Sequence, residues 1–296
     1  MLFDFLPNRI SEKYYFSRKL NQAEVEKHPS FFIISSGRSG STLLRRVLME
    51  HYDIHIPPES YDVIPQVFLT FLKNKNKRWD VLIKSSLSIL QASGINEFWK
   101  LNLTDVKNDL ENLQPDKRNP YELINYIYLK HAKLVENESS MIGDKTPFLG
   151  LRMDFLKMYY PNSKIIHLVR DPRDVMLSRK ESFGQNYEES IRRWIITVKG
   201  VHKYSTGSKL FEIRYEDLLQ NGLSEVEKIS QFLGVERRNS CKDEVCMGDD
   251  DLPHHSNVKN TIMSNRAYRW KKTSIENLPI LNSDLLQRYL KFYNYN

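Results

Sequence analysis

The chain has 296 residues, of which 40% are hydrophobic and 27% charged, as in globular proteins with a sizeable core. Its formal net charge of +7 favours anionic partners such as nucleotides, acidic glycans, nucleic acid or a membrane surface, without choosing among them. No run of residues approaches the roughly 18 apolar positions of a membrane-spanning helix, which argues against a transmembrane protein.

Hydrophobic periodicity predicts strands and helices that alternate along the chain. The predicted strands cover 31–35, 141–143, 164–169 and 209–214. The predicted helices cover 41–51, 119–137, 148–160, 174–183, 187–204, 224–233 and 283–293, with irregular helices over 61–112. The alternation favours an α/β fold with a central parallel sheet flanked by helices. Because ligands of such sheets bind at the carboxyl ends of the strands, we expect the active residues just after the strands.

The first strand is followed by the loop Ser36-Gly-Arg-Ser-Gly-Ser-Thr42 and then by a helix. Glycines let the backbone turn tightly and bring N–H groups near an anion, and the helix N-terminus favours negative charge. The sequence is not a Walker A motif, because Ser41 stands where the lysine belongs and Arg38 supplies the one basic group. The loop therefore favours a nucleotide with a single phosphate at its reacting end. The alternative is a tight turn without a ligand.

A second anion site is predicted after the strand 164–169. Arg170 stands where this strand ends, and Ser178 follows about one turn into the next helix. An arginine and a hydroxyl at this spacing can hold a phosphate, the arginine through a two-pronged contact. The alternative for Arg170 is a salt bridge with Asp171 or Asp174.

Together these motifs resemble those of the P-loop sulfotransferases that use 3′-phosphoadenosine-5′-phosphosulfate (PAPS). The first loop resembles their 5′-phosphosulfate loop in its Arg-Ser-Gly-Ser-Thr form, which is similar to bacterial and tyrosyl-protein-type members. The segment from Arg170 to Ser178 resembles their 3′-phosphate motif. Gly143–Pro147 and Arg214–Leu218 resemble two further family segments, in the family order.

The resemblance implies a sulfotransferase with PAPS as cosubstrate and no metal. It implies that Arg38 and the backbone of Ser39, Gly40, Ser41 and Thr42 hold the 5′-phosphosulfate, with Gly37 shaping the loop. Arg170 and Ser178 would hold the 3′-phosphate, Tyr215 would lie at the nucleotide, and Lys145 would face the reacting sulfate. A loop over the nucleotide is expected in 240–275, where the candidate contacts are Ser256, Lys259, Arg269 and Lys271.

We expect one sulfotransferase domain over 1–296. Its nucleotide-binding core would comprise 31–60 and 141–235, and 61–140 would be a helical insertion on the acceptor side. The oligomeric state is not predicted.

Sulfuryl transfer to a hydroxyl needs a base near the sulfur, and Glu59 is the leading candidate. The helix 41–51 carries the chain roughly 16 Å from the loop at about 1.5 Å per residue. The extended segment 53–58 can return it by about 20 Å at up to about 3.5 Å per residue. A glutamate just past the first helix often has this role in the arginine-loop branches that the chain resembles. The alternative is that Glu59 caps the helix near Tyr61, and His55 and Asp144 are weaker candidates for the base.

Other functions remain open. A nucleoside or small-molecule kinase with a divergent loop is the main alternative, although the Walker lysine is missing. A non-catalytic binding protein, and nucleic-acid binding through the basic run 73–78, are less favoured. The acceptor could be a sugar, phenol, lipid or peptide, and a carbohydrate is preferred because anionic glycans suit a basic surface. Cys241 and Cys246 lack zinc-site spacing, and with no signal-peptide pattern they indicate a cytoplasmic protein.

Overall fold

Five parallel strands form the centre of the computed structural model, which describes residues 27–137, 139, 141–204, 207–238, 267–273, 275 and 278–295. They are β1 (Phe31–Ile34), β2 (Ile54–His55), β3 (Met141–Lys145), β4 (Lys164–Val169) and β5 (Leu210–Arg214). Their order in the sheet is β2-β3-β1-β4-β5, and each neighbouring pair is parallel. The carboxyl ends of β1, β3 and β4 therefore meet at one edge.

Helices surround the sheet. They are α1 (Ser41–His51), α2 (Val63–Lys73), α3 (Trp79–Ala92), α4 (Asn96–Trp99), α5 (Leu103–Glu111), α6 (Pro120–Leu134), α7 (Met153–Tyr159), α8 (Pro172–Phe183), α9 (Tyr187–Tyr204), α10 (Tyr215–Asn221), α11 (Leu223–Leu233) and α12 (Asp284–Phe292). Short 3₁₀ helices lie at Pro115–Lys117, Pro147–Arg152, Gly207–Lys209, Arg269–Lys272 and Pro279–Asn282. No helix in the described parts of the chain is both long and apolar enough to cross a bilayer.

The central strand β1 separates two hydrophobic clusters. Phe32 and Ile34 pack into the cluster with helices α2 to α7, whereas Phe31 and Ile33 pack into the cluster with α1, α10 and α11. Successive side chains of a strand point to opposite faces, so this division puts helices on both sides of the sheet. The predicted α/β fold with a helix-flanked parallel sheet is confirmed.

Several element bounds match the sequence predictions, and a few differ for identifiable reasons. The helices 41–51 and 187–204 and the strand 164–169 have the predicted bounds. The predicted helix 148–160 begins as a 3₁₀ helix, in which Gly150 lies so close to α9 that an added Cβ would be 2.6 Å from Thr197 Cγ2. Helix α8 starts at Pro172 rather than near 174, because the Asp171 side chain accepts a hydrogen bond from the Arg173 N–H and Pro172 takes the first helical position.

Two short elements were not predicted as such. Strand β2 lies within the segment that the sequence indicated only as an extended return, and it pairs in register with Met141 and Ile142 of β3. Helix α10 begins directly at the end of β5 and is separated from α11 by Gly222, whose φ of 50° permits the sharp change of direction.

Candidate active site

The loop between β1 and α1 has the backbone of an anion site. Three of its residues have positive φ angles, Gly37 (81°), Arg38 (56°) and Gly40 (86°). Gly40 is the N-cap of α1, and a Cβ there would lie 2.4 Å from the ring of Tyr215. A glycine cap has no side chain to occupy the first helical N–H groups, so these groups and the positive end of the helix dipole can face an anion.

Arg38, Arg170 and Ser178 come from two separate segments and meet at this loop. Arg38 Nε donates a hydrogen bond of 3.1 Å to Ser178 Oγ, and Arg170 Nη1 donates one of 3.0 Å to the Arg38 carbonyl oxygen. The Arg170 guanidinium lies 4.6 Å from the ring centroid of Tyr215. Because β1 and β4 are neighbours in the sheet, the residues after each strand share one positively charged corner.

Arg170 is oriented by neighbouring groups. Its Nη2 lies 3.5 Å from Asp174 Oδ2, and its carbonyl oxygen accepts a 2.9 Å hydrogen bond from Trp194 Nε1. Asp174 Oδ1 accepts from the Trp270 N–H at 2.9 Å. Burial raises the pKa of Asp174, and the charge of Arg170 opposes this shift. The salt bridge considered as an alternative for Arg170 is thus present with Asp174, whereas Asp171 pairs with Arg173 at 2.8 Å.

Lys145, Glu59 and Thr42 form a second cluster at the same edge. Lys145 is the last residue of β3, pairs in register with Ile33 of β1, and is 0% exposed. Its Nζ donates a 2.6 Å hydrogen bond to Glu59 Oε1 and lies 3.4 Å from Thr42 Oγ1. The Glu59 side chain is 20% exposed. A buried ammonium and a partly exposed carboxylate therefore stand beside the N-terminal turn of α1.

The segment carrying Glu59 is held by three side chains from different elements. Arg45 Nε donates to the Ile56 carbonyl at 2.8 Å, and Trp99 Nε1 donates to the Pro58 carbonyl at 3.1 Å. The Ser60 N–H donates to Thr146 Oγ1 at 2.8 Å. These contacts return the chain to the sheet edge, as the reach of the extended segment allows. Helix α2 begins at Val63 with Asp62 as its N-cap, and Glu59 lies against Lys145 instead.

Comparison with known proteins shows which family the chain belongs to. Residues 29–239 match the family model described as "Sulfotransferase family". This chain belongs to the sulfotransferase family. A candidate protein-tyrosine sulfotransferase of Caenorhabditis briggsae is 24% identical over 260 residues, which cover 81% of this chain and 79% of that protein. Omega-hydroxy-beta-dihydromenaquinone-9 sulfotransferase Stf3 of Mycobacterium tuberculosis is 24% identical over 272 residues, covering 76% and 67%.

Among solved structures, the sulfotransferase domain from the curacin biosynthetic pathway resembles this chain with a TM-score of 0.59 and 23% identity. The match covers 92% of this chain and 99% of that domain. At this identity the likeness supports the shared fold. Membership of the family makes the chain a transferase enzyme.

The two weaker candidates for the base are sealed inside the sulfotransferase core. Asp144 is 0% exposed and accepts a 2.6 Å hydrogen bond from the Tyr128 hydroxyl. Burial raises its pKa, and the hydrogen bond from Tyr128 opposes this shift. His55 is also buried, with Nε2 at 3.0 Å from His131 Nδ1. Of the three candidates, Glu59 is the one with exposed side-chain surface.

The C-terminal contacts expected from the sequence are only partly described. Arg269 pairs with Glu181, one turn beyond Ser178 on α8, with Nη1 at 3.1 Å from Oε2. Lys271 is exposed and lies 5.1 Å from the ring centroid of Tyr268. Trp270 lies between Arg269 and Lys271 in sequence, and the centroid of its ring is 3.6 Å from the Arg173 guanidinium. Two further expected contacts, Ser256 and Lys259, lie outside the described residues.

Arg179 is a site residue that the sequence reasoning missed. Its Nη1 donates to the Ser36 carbonyl at 3.2 Å and lies 2.8 Å from the position that a Cβ on Gly37 would take. Burial, together with the charges of Arg193 and Arg38, lowers the pKa of Arg179 to about 10. Its position next to Ser178 was the one sequence feature that could have indicated a role at the site. An arginine on the exposed face of the helix would have the same neighbours in sequence, so the feature did not distinguish the two.

Proposed function

We propose that this sulfotransferase moves a sulfuryl group from PAPS to an acceptor hydroxyl, with Glu59 as the general base. The observation that carries the proposal is the meeting of two clusters at the N-terminus of α1. One cluster combines Lys145 with Glu59, and the other combines Arg38, Arg170 and Ser178. A partly exposed carboxylate beside a positively charged anion site is what sulfuryl transfer to an alcohol requires.

The donor has two anionic groups, and the site has a position suited to each. The glycine-capped N-terminus of α1 suits the 5′-phosphosulfate, because its N–H groups and Arg38 supply positive charge there. Arg170 and Ser178 suit the 3′-phosphate, with Tyr215 packed below the guanidinium. The positive charge near the reacting phosphate comes from side chains, and we propose a reaction that needs no metal.

In the proposed reaction, the acceptor oxygen attacks the sulfur as Glu59 takes the hydroxyl proton. The bond between sulfur and the bridging phosphate oxygen breaks, and adenosine 3′,5′-bisphosphate leaves with its electron pair. Lys145 and the N–H groups of α1 stabilise the charge that develops on the sulfate and phosphate oxygens. As in phosphoryl transfer, the group moves in line from donor to acceptor and the protein forms no covalent bond to it. Loss of a general base in such a reaction costs about 10²–10⁴ in rate.

The acceptor is proposed to be a carbohydrate, bound on the side formed by the helices of 61–140. The net charge of +7 suits an anionic glycan. The chain also matches carbohydrate sulfotransferase 1 of Mus musculus at 29% identity over 139 residues, 37% of this chain and 34% of that protein. A panel of sugar, phenol, tyrosine-peptide and lipid-alcohol acceptors with radiolabelled PAPS tests this. Transfer to the peptide or lipid but not to any sugar would contradict the carbohydrate assignment.

Donor identity is tested separately by thermal shift. Adenosine 3′,5′-bisphosphate is expected to raise the melting temperature in the presence of EDTA. A kinase with a divergent loop would instead be stabilised by ATP with Mg²⁺ and not by the bisphosphate, and that result would overturn the proposal.

A further inference from the structure

Four polar side chains with no assigned role in sulfuryl transfer converge on the sheet face covered by α9 and α12. His167 of β4 is directly paired in register with Glu212 of β5. His202 lies in the last turn of α9, and Tyr293 follows α12. Three of the four are therefore placed by regular elements, and the fourth is placed immediately after one.

The four groups share one oxygen. Glu212 Oε1 lies 2.8 Å from His167 Nδ1, 3.0 Å from His202 Nε2 and 2.7 Å from the Tyr293 hydroxyl. The Tyr293 hydroxyl is also 2.8 Å from His202 Nε2. The two imidazole nitrogens and the carboxylate oxygen all lie within 4.8 Å of one another. Both imidazole nitrogens face the same carboxylate oxygen, and two imidazoles with one carboxylate are the donor set of a known class of zinc site.

We propose that His167 Nδ1, His202 Nε2 and Glu212 Oε1 bind one Zn²⁺ ion, with the Tyr293 hydroxyl beside the fourth position. Bond lengths of about 2.1 Å imply about 3.4 Å between ligands at a tetrahedral centre. The observed spacings around Oε1 are shorter by about half an ångström, so small side-chain rotations would admit the ion. Nitrogen donors favour Zn²⁺ over Mg²⁺ and Ca²⁺, which prefer six or more oxygen ligands.

An ion can reach the cluster from solvent, although one of its three ligands is buried. His167 is buried, whereas the side chains of His202 and Glu212 are each 26% exposed. The ion would enter from the exposed side and join β4 and β5 to α9, with Tyr293 extending the contact to the C-terminal segment. The same helix α9 carries Trp194, which holds the Arg170 carbonyl. Zinc bound here would therefore stabilise the layer behind the donor site without taking part in the reaction.

The alternative is that the four groups form only a hydrogen-bonded network. Zinc titration of the full chain, first dialysed against EDTA, separates these possibilities. Competition with a chromophoric chelator should show one equivalent of Zn²⁺ bound. The melting temperature should rise by roughly 5 °C when zinc is at about 100 times its dissociation constant.

His202→Gln and Glu212→Gln are expected to weaken zinc binding at least about a hundredfold, since even the loss of a partner behind a ligand costs 10- to 100-fold. A control variant removes the cysteines and histidines that lie outside the described residues, which are also possible zinc ligands. It combines Cys241→Ser, Cys246→Ser, His254→Asn and His255→Asn. That control should bind zinc as the unchanged protein does. Binding of adenosine 3′,5′-bisphosphate by each variant shows whether that variant is folded. If Glu212→Gln does not fold, the zinc affinity of His202→Gln tests the proposal. Absence of stoichiometric binding by the unchanged chain, or equal binding by His202→Gln, would overturn the proposal.

Discussion

Replacing Glu59 by glutamine tests the proposed reaction most directly, because it removes the charge and basicity of the side chain while keeping its size. The carboxylate accepts a 2.6 Å hydrogen bond from Lys145, which is fully buried. We expect kcat to fall at least about a hundredfold, as is usual when a general base is lost. The affinity for adenosine 3′,5′-bisphosphate should change little, because the groups proposed to hold its phosphates are untouched.

The same substitution has a stability cost that must be separated from the effect on catalysis. Removing one partner of a buried ion pair costs about 3–5 kcal/mol. Glu59 is one-fifth exposed, and the glutamine amide oxygen can still accept from Lys145, so we expect about 1–2 kcal/mol here. That corresponds to a melting temperature lower by roughly 2–5 °C. The folded fraction at the assay temperature is then nearly unchanged, and the fall in kcat reports on the chemistry.

Asp62→Asn provides the matched control. Asp62 pairs with the buried Arg152 at 3.0 Å, with 26% of its side chain exposed, so the pair resembles that of Glu59 with Lys145. This variant should lose similar stability and keep its turnover. The assay is single-turnover transfer from radiolabelled PAPS, with donor binding followed by calorimetry. Near-normal turnover of Glu59→Gln, or an equal loss in Asp62→Asn, would refute the assignment of the base.

Three further predictions address the donor loop, the 3′-phosphate position and the core. Gly40→Ala should weaken adenosine 3′,5′-bisphosphate binding at least about tenfold by calorimetry, a cost of about 1.4 kcal/mol, because the new Cβ would meet the Tyr215 ring at 2.4 Å. Gly184→Ala is its control, since Gly184 also has a positive φ but no described atom lies within 4 Å of a Cβ there. An equal loss of bisphosphate affinity in the two variants would contradict this reasoning. Arg170→Lys should lower affinity for the bisphosphate about 10- to 100-fold, because lysine cannot make the two-pronged contact with the 3′-phosphate. Binding of AMP, which has no 3′-phosphate, should be unchanged. Equal losses of affinity for both nucleotides would contradict a 3′-phosphate contact. His131 has its pKa lowered from 6.5 to about 3, mainly by burial, so the unfolded chain binds its proton first and stability falls as the pH drops below 6.5. At about pH 5 this loss is about 2 kcal/mol, and His131→Gln should remove it in urea unfolding; an unchanged pH dependence would exclude His131 as its source.

The parts of the site that follow directly from strand ends were predictable from the sequence. Arg170 comes immediately after a buried apolar strand, and the loop with Arg38 comes just after another. Parallel strands bring their carboxyl ends to one edge, so the sequence places these residues at that edge, and the pairing of β1 with β4 brings them together. The position of Glu59 follows from chain reach, because one helix leads away from the edge and one extended segment returns to it.

Contacts that fix side-chain direction were not predictable in this way. Arg179 reaches the Ser36 carbonyl across 143 residues of sequence, and Trp99 reaches the Pro58 carbonyl across 41. Neither residue differs in local pattern from an ordinary helical arginine or core tryptophan. Their roles depend on how helices pack on the sheet, and hydrophobic periodicity describes which face of a helix is buried but not its neighbour.

The C-terminal segment shows the same limit with a functional consequence. The Tyr295 hydroxyl donates to Glu216 Oε2 at 2.8 Å, and Glu216 Oε1 accepts from the Asp171 N–H at 3.1 Å. The Tyr295 carbonyl in turn accepts from Arg173 Nη2 at 2.5 Å. The turn that begins the proposed 3′-phosphate motif is therefore held by Glu216, 45 positions after Asp171, and by Tyr295, 122 positions after Arg173. The sequence predicts the arginines and hydroxyls that we propose for donor binding, whereas the residues that position those side chains are known only from the packed fold.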